Sequence, residues 1–182
     1  LYRSEVWLTK FSVKFRETAE LLSQSIPLQD FFSISLVNIL ELLPGEVGSI
    51  WLYPPEDFSA EAPTQDHLFL TAMKTPERDW VPDFQKELAP GDAWFYPKNK
   101  TEGTIIRKPG DLEDPLQVAL NLPANFSGIA TAITIAGRNV GMLVLHEGTP
   151  GRYGPESEGI CATFAGYLGS AIEKERLDQE TQ

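Results

Sequence analysis

The sequence predicts an α+β fold in which helices pack against one face of a central antiparallel β-sheet. Three observations predict it: two amphipathic helices come first, apolar strands separated by turn residues follow, and a long helix closes the chain. An apolar sheet face needs such helices to cover it. With 182 residues, 42% of them hydrophobic, the chain is long enough for one domain with a sizeable core.

Two helices are predicted before the first strand. In the first, positions recur at alternating spacings of three and four and form a heptad seam of Leu1, Ser4, Leu8, Phe11, Phe15, Thr18 and Leu22. Two interpretations stay open for this helix: it packs on its own domain, or it pairs with a partner subunit. Pro27 separates it from a second helix over 28–43, which Pro44 and Gly45 end because proline cannot continue a helix.

The strands are predicted from apolar runs between turn residues. Val47–Tyr53 is apolar on both faces, as expected of a strand that is covered on both sides. Residues 67–73 predict a second strand after a polar loop. Residues 128–135 and 140–146 flank a turn at 136–139, and together they predict a hairpin.

An irregular middle and a long last helix complete the order. Residues 74–127 contain predicted short helices over 76–88 and 114–122 and a short strand over 103–107. An irregular stretch of this length inside a compact domain is usually functional. The last helix is predicted over 155–177, with acidic residues in its positive first turn.

Charge and cysteine content exclude several classes of function. A formal net charge of −11 and a pI of about 4.6 disfavour nucleic acid and anionic membranes as partners. The single cysteine, Cys161, excludes an internal disulfide and a multi-cysteine zinc site, and two distant histidines form no metal motif. Because there is neither an apolar run long enough for a membrane span nor a signal peptide, we expect a cytoplasmic protein.

Four segments in this order resemble those of GAF domains. They are Gly48–Tyr53, Gly128–Ile135, Gly137–His146 with its Val-Gly-x-Leu-x-Leu pattern, and Phe164–Glu173 ending in Ala-Ile-Glu. The resemblance implies a GAF-like domain over 25–177. The N- and C-terminal helices would lie on one face of its sheet and the irregular region on the other.

The segment Leu145–Tyr153 is also similar to the bilin-binding GAF subgroup, in which a strand ending in histidine precedes a Pro-Arg-aromatic loop. Those domains generally hold their pigment through a cysteine ahead of the domain or in its middle. Cys161 lies in the last helix instead, which disfavours covalent bilin attachment. The cofactor stays unidentified, with haem or another planar ligand as the open alternatives.

The resemblance suggests four ligand-binding residues. Trp51 and Tyr53 alternate onto one face of their strand, which in GAF domains looks toward the pocket. Thr131 is expected to face the same space from a neighbouring strand. His146 ends a strand at the pocket edge, where an imidazole could bind haem iron or a ligand. The structural alternatives are ordinary core packing and, for His146, a bond to a loop.

The resemblance implies a sensory domain that binds a small molecule within a larger bacterial signalling protein, such as a two-component sensor histidine kinase or a cyclase. Residues 1–24 would form a signalling and dimerisation helix, and 178–182 would begin a linker to an output domain. We expect a homodimer through the terminal helices. The alternative is a ligand-free dimerisation module whose pocket is filled by Trp51 and its neighbours.

An enzyme is the remote third interpretation. One GAF-like class reduces free methionine sulfoxide with several cysteines, but Cys161 has no resolving partner for a thiol–disulfide cycle. The sequence contains no recognisable catalytic set and no metal motif, so the domain is expected not to be an enzyme.

Overall fold

In the described residues, the strands are β1 (Val47–Leu52), β2 (Leu68–Lys74), β3 (Glu87–Leu88), β4 (Thr104–Arg107), β5 (Ser127–Ile135) and β6 (Arg138–Glu147). These six strands form one antiparallel sheet in the order β3-β2-β1-β6-β5-β4. The helices are α1 (Tyr2–Leu21), α2 (Leu28–Leu42), α3 (Pro115–Ala119) and α4 (Pro155–Glu180). The computed structural model describes residues 2–43, 45–54, 68–75, 87–88, 103–107, 115–149 and 153–181.

The α+β fold predicted from the sequence is confirmed, and two of the predicted short helices need correction. The helix predicted over 76–88 is wrong at its end, because Glu87 and Leu88 form the edge strand β3 on β2; residues 76–86 lie outside the described part. The helix predicted over 114–122 ends early. Asn121 has a φ of 55°, a left-handed conformation in which asparagine commonly ends a helix.

Two helices cover one face of the sheet, called the helical face below. α2 lies over β1, where a Cβ added to Gly48 would come within 3.2 Å of Leu36. α4 lies over β5 and approaches it closely, since a Cβ added to Gly169 would lie 2.5 Å from the carbonyl oxygen of Thr134. A small residue of α4 therefore allows this close helix–sheet packing.

α1 forms an outer layer on α2 and α4. The ring of Phe15 lies 5.3 Å from that of Phe164, measured between centroids. Nearer the C-terminus of both helices, the Nζ of Lys174 donates to the carbonyl of Leu22 at 2.9 Å. Because these contacts advance in the same direction along both helices, α1 and α4 run parallel.

The heptad seam of α1 divides into two parts. Its second half packs on the chain's own core, and the buried hydroxyl of Thr18 accepts a hydrogen bond from Asn38 Nδ2 at 2.9 Å. Farther toward the N-terminus, Leu8 is 54% exposed. Packing on its own domain thus accounts for the second half of the seam. Pairing of the first half with a partner stays a prediction.

The β5–β6 hairpin places the last strand against β1. Its turn is formed by Ala136 and Gly137, which have φ angles of 50° and 76°, the positive values typical of a tight two-residue hairpin. Gly141 lies so close to the Trp51 carbonyl that an added Cβ would overlap it. The Val-Gly-x-Leu-x-Leu pattern therefore requires glycine at this position for a steric reason. No helix in the described ranges is both long and apolar enough to cross a membrane.

Two glycines of α4 should respond oppositely to substitution by alanine. Gly169→Ala should lower the free energy of unfolding by roughly 1–3 kcal/mol, because its Cβ would meet the Thr134 carbonyl. Gly166→Ala should raise it by about 1 kcal/mol, since a Cβ there meets nothing within 4 Å and alanine favours helix. Denaturant unfolding of both variants measures this. Equal effects of the two substitutions would contradict the α4–β5 packing.

Candidate functional site

The register of β1 against β6 assigns each side chain to one face of the sheet. Gly48 marks the helical face, and its register partner Leu145 shares that face. Side chains alternate along a strand, so the residues flanking both point the other way. This opposite-face cluster consists of Val47, Ser49, Trp51, Met142, Val144 and His146, all of them buried.

Trp51 is the largest member of the cluster, and none of its surface is exposed to solvent. Its indole Nε1–H donates to the hydroxyl oxygen of Ser49 at 3.0 Å. A buried indole needs such a partner, because an unsatisfied N–H in an apolar environment is costly. The pair therefore gives the face a fixed aromatic wall beside a hydroxyl.

His146 lies at the other end of the cluster, opposite Val47 in the register of β1 and β6. Its side chain is as buried as that of Trp51. Its backbone carbonyl accepts a hydrogen bond from the Glu46 N–H at 2.9 Å, which holds the strand end against the start of β1. Across the described ranges, no group of three or more histidine, cysteine, aspartate or glutamate side chains is placed to hold a metal ion.

Tyr53 follows β1 directly and extends the same ladder. Its N–H donates to the Val140 carbonyl at 3.0 Å, and its side chain is buried. Burial raises the pKa of its phenol to about 12, because the charged phenolate is poorly solvated there. The hydroxyl therefore stays protonated at neutral pH and remains a hydrogen-bond donor.

Thr131 does not share the space of Trp51, which corrects the expectation from the sequence. Its register partner in β6 is Leu143, two residues from Leu145, so Thr131 lies on the helical face. There its hydroxyl lies 3.0 Å from the hydroxyl oxygen of Thr104 and is hydrogen-bonded to Cys161 of α4. The structure brings together three of the four predicted residues and places the fourth behind the sheet.

Cys161, a residue of α4, is buried against β5. Burial raises the pKa of its thiol to about 12, and the hydrogen bond with Thr131 offsets only part of that rise. Since the thiolate is the reactive form, the thiol is unreactive at neutral pH.

Ser49 and Met142 are members of the cluster that the sequence did not single out. A serine within an apolar strand, two residues before a tryptophan, was the available signal for Ser49. No signal in the sequence singled out Met142, because the residues of β6 from Val140 to Leu145 are apolar or glycine on whichever face they lie. The cluster is mostly apolar, with Ser49 and His146 as its polar members, a composition that small-molecule sites also have.

No protein-family model matches the sequence, and no curated protein matches it. Solved structures do match. The phycoerythrobilin-bound GAF domain from a cyanobacterial phytochrome has a TM-score of 0.72 at 13% identity, over 93% of this chain and 97% of that one. The free methionine-R-sulfoxide reductase from Neisseria meningitidis, in complex with its substrate, has a TM-score of 0.66 at 13% identity, over 92% and 91%.

A longer structure matches as well. The chromophore-binding domain of an unusual bacteriophytochrome from R. palustris has a TM-score of 0.67 at 12% identity, over 97% of this chain. This chain spans 64% of the length of that domain. Similarity at such low identity shows the fold, and the chain therefore has a GAF-like fold.

The burial of Cys161 makes a testable prediction. In the folded protein at pH 8, Cys161 should resist a thiol-alkylating reagent, and it should react once denaturant unfolds the chain, because the thiol is buried and protonated. A matched control places the thiol one residue away, on the exposed Ala162, as Ala162→Cys in a Cys161→Ala background. That variant should be alkylated rapidly; fast labelling of the native wild-type protein would refute the inert thiol.

Proposed function

We propose that the chain is a regulatory domain of a larger signal-transduction protein, in which a small planar molecule bound at the opposite-face cluster changes the packing of α1 and α4. One observation carries the proposal: the central strands have the cluster on one side and the helices on the other. Val144 belongs to the cluster, while its neighbour Leu143 lies on the helical face with Thr131. A ligand that displaces β6 from one face of the sheet therefore also displaces the side chains that contact the helices on the other face.

A planar ligand held without a covalent bond fits the cluster best. Two of the matched structures are named as chromophore-binding or bilin-bound domains, which supports a planar ligand on the same fold. In this chain the single cysteine lies on the helical face, away from Trp51 and His146. We therefore propose a non-covalent ligand such as haem or another flat ring system, with His146 and Tyr53 as its polar partners.

The terminal helices are the proposed output. α1 and α4 are parallel, so the beginning of α1 and the end of α4 lie at opposite ends of the pair. A ligand controls such a pair only if it binds two packing arrangements with different affinity. A sensor histidine kinase or a cyclase in the bacterial cytoplasm is the proposed parent protein. The buried, protonated Cys161 argues against a thiol redox enzyme.

Thermal unfolding with a panel of flat ligands tests this proposal. The panel contains haemin, biliverdin, flavins and nucleobases. A ligand at about 100 times its Kd adds about 2.7 kcal/mol to the free energy of unfolding, so it should raise Tm by several degrees. The visible absorption spectrum of the purified protein shows whether a coloured ligand is already bound.

Variants locate the binding site. Ser49→Ala and His146→Gln should each weaken the binding of that ligand. Thr104→Val is the control. It removes a half-buried hydroxyl from the helical face and should leave binding unchanged. A panel in which no compound raises Tm, or a shift that Thr104→Val abolishes and Ser49→Ala does not, would count against the cluster as the ligand site.

A ligand-free dimerisation module is a second candidate, because the cluster is filled by its own side chains. Trp51 is fully buried and its N–H is bonded to Ser49, so the face is complete without a ligand. Meanwhile Leu8, a member of the heptad seam near the N-terminus of α1, is 54% exposed. A homodimer through the terminal helices would cover it.

Multi-angle light scattering tests the dimer. The wild-type protein should elute as a dimer, and Leu8→Glu should shift it to the monomer, because a charge would have to be buried in the seam. Glu17→Gln with Glu20→Gln is a control on exposed positions of the same helix. A wild-type protein that remains monomeric at high concentration would exclude this candidate.

A further inference from the structure

The end of α1 is tied to α4 by a lysine from the far end of the chain. The ammonium of Lys174 donates to the carbonyl of Leu22 at 2.9 Å and to that of Gln24 at 3.1 Å. These carbonyls follow the last turn of α1, at the negative end of the helix dipole, where a cation is stabilising. Lys174 is therefore bonded to the backbone that directly follows α1.

A cavity of about 250 Å³ lies beside this tie. Apolar side chains of the α1–α2 turn and of the two adjoining helices line it, namely Leu21, Leu22, Ile26, Pro27, Leu28, Phe31 and Ala171, together with the polar residues Gln24 and Ser25. Its charged lining consists of Lys174, Glu175 and Asp178 of α4. The volume is slightly below the range of drug-sized sites, so it suits a single small ring.

The charged lining of the cavity has an excess of carboxylates. Lys174 and Asp178 are one helical turn apart, a spacing that allows an ion pair. The ammonium is turned to the end of α1 instead, and within the described residues Asp178 has no cation partner. Among the described residues, Glu175 accepts a hydrogen bond only from the neutral amide of Gln179, at 3.2 Å. In the part of the chain that the structure describes, two carboxylates thus border the cavity without a matching cation.

We propose that this cavity is a second binding site, for a small molecule with an apolar ring and a protonated amine. The ring fills the space between Phe31 and Ala171, and the ammonium lies between the carboxylates of Glu175 and Asp178. Lys174 keeps its bonds to α1. An anionic ligand is disfavoured, because the carboxylates and the carbonyl end of α1 repel it.

Occupation of this site strengthens the junction of α1 with α4. A bound ring contacts the α1–α2 turn on one side and α4 on the other, so it opposes separation of the two helices. The site lies on the helical side of the sheet and is separate from the opposite-face cluster. Its failure would therefore leave the proposed ligand site of that cluster unaffected.

Titration of the full chain with three matched probes, followed by ¹H–¹⁵N NMR spectra, tests the proposal. The probes are benzylamine, benzyl alcohol and benzoate, which carry the same ring with a positive, neutral and negative group. Benzylamine should shift the amide signals of residues 21–28 and 171–178. It should bind about fivefold more tightly than benzyl alcohol, and benzoate should bind weakest.

Two variants separate charge from cavity. Glu175→Gln with Asp178→Asn should remove the advantage of benzylamine over benzyl alcohol, while Glu156→Gln with Glu158→Gln, at the other end of α4, should keep it. Ala171→Leu should fill the cavity and weaken both probes. The proposal is overturned if no probe shifts these amides, if the three probes bind equally, or if the two charge variants behave alike.

Discussion

The register of β1 against β6 is the constraint on which the rest of the structure depends. Because side chains alternate along a strand, a slip by one residue would exchange every side chain between the two faces. Gly141 fixes this register, since it lies where the backbone of Trp51 and Leu52 leaves no space for a Cβ. With the register set, Gly48 and Leu145 face α2, and Trp51 and His146 face away.

Burial on both faces lets one strand serve two purposes. On the helical face, small residues let helices lie close, as Gly169 does at the Thr134 carbonyl. On the other face, the same strands present Trp51 with its hydroxyl partner Ser49. A change on one side must be accommodated by the other, because close-packed interiors transmit strain. The hydrogen bonds from Lys174 to the end of α1 then link a movement of α4 to the first helix.

Elements with a periodic pattern or with turn residues at their ends could be predicted from the sequence. Contacts between distant parts of the chain could not. The hairpin and α4 follow from local patterns, as does the shared face of Trp51 and Tyr53. Thr131 was assigned to the wrong face because β5 is apolar on both sides and has no alternation to indicate its register. The contact between Lys174 and Leu22 joins residues 152 positions apart, and no local pattern signals it. The cavity beside this contact could not be predicted either, because its lining comes from both ends of the chain.

The most direct test of this arrangement is a set of nuclear Overhauser contacts in solution. We expect contacts between the methyl group of Thr131 and the β-protons of Cys161, and between the indole N–H of Trp51 and the β-protons of Ser49. We expect none between Thr131 and Trp51, because the sheet separates them. Contacts between Thr131 and the Trp51 ring would show that the register is different and would contradict the division of the sheet into two faces.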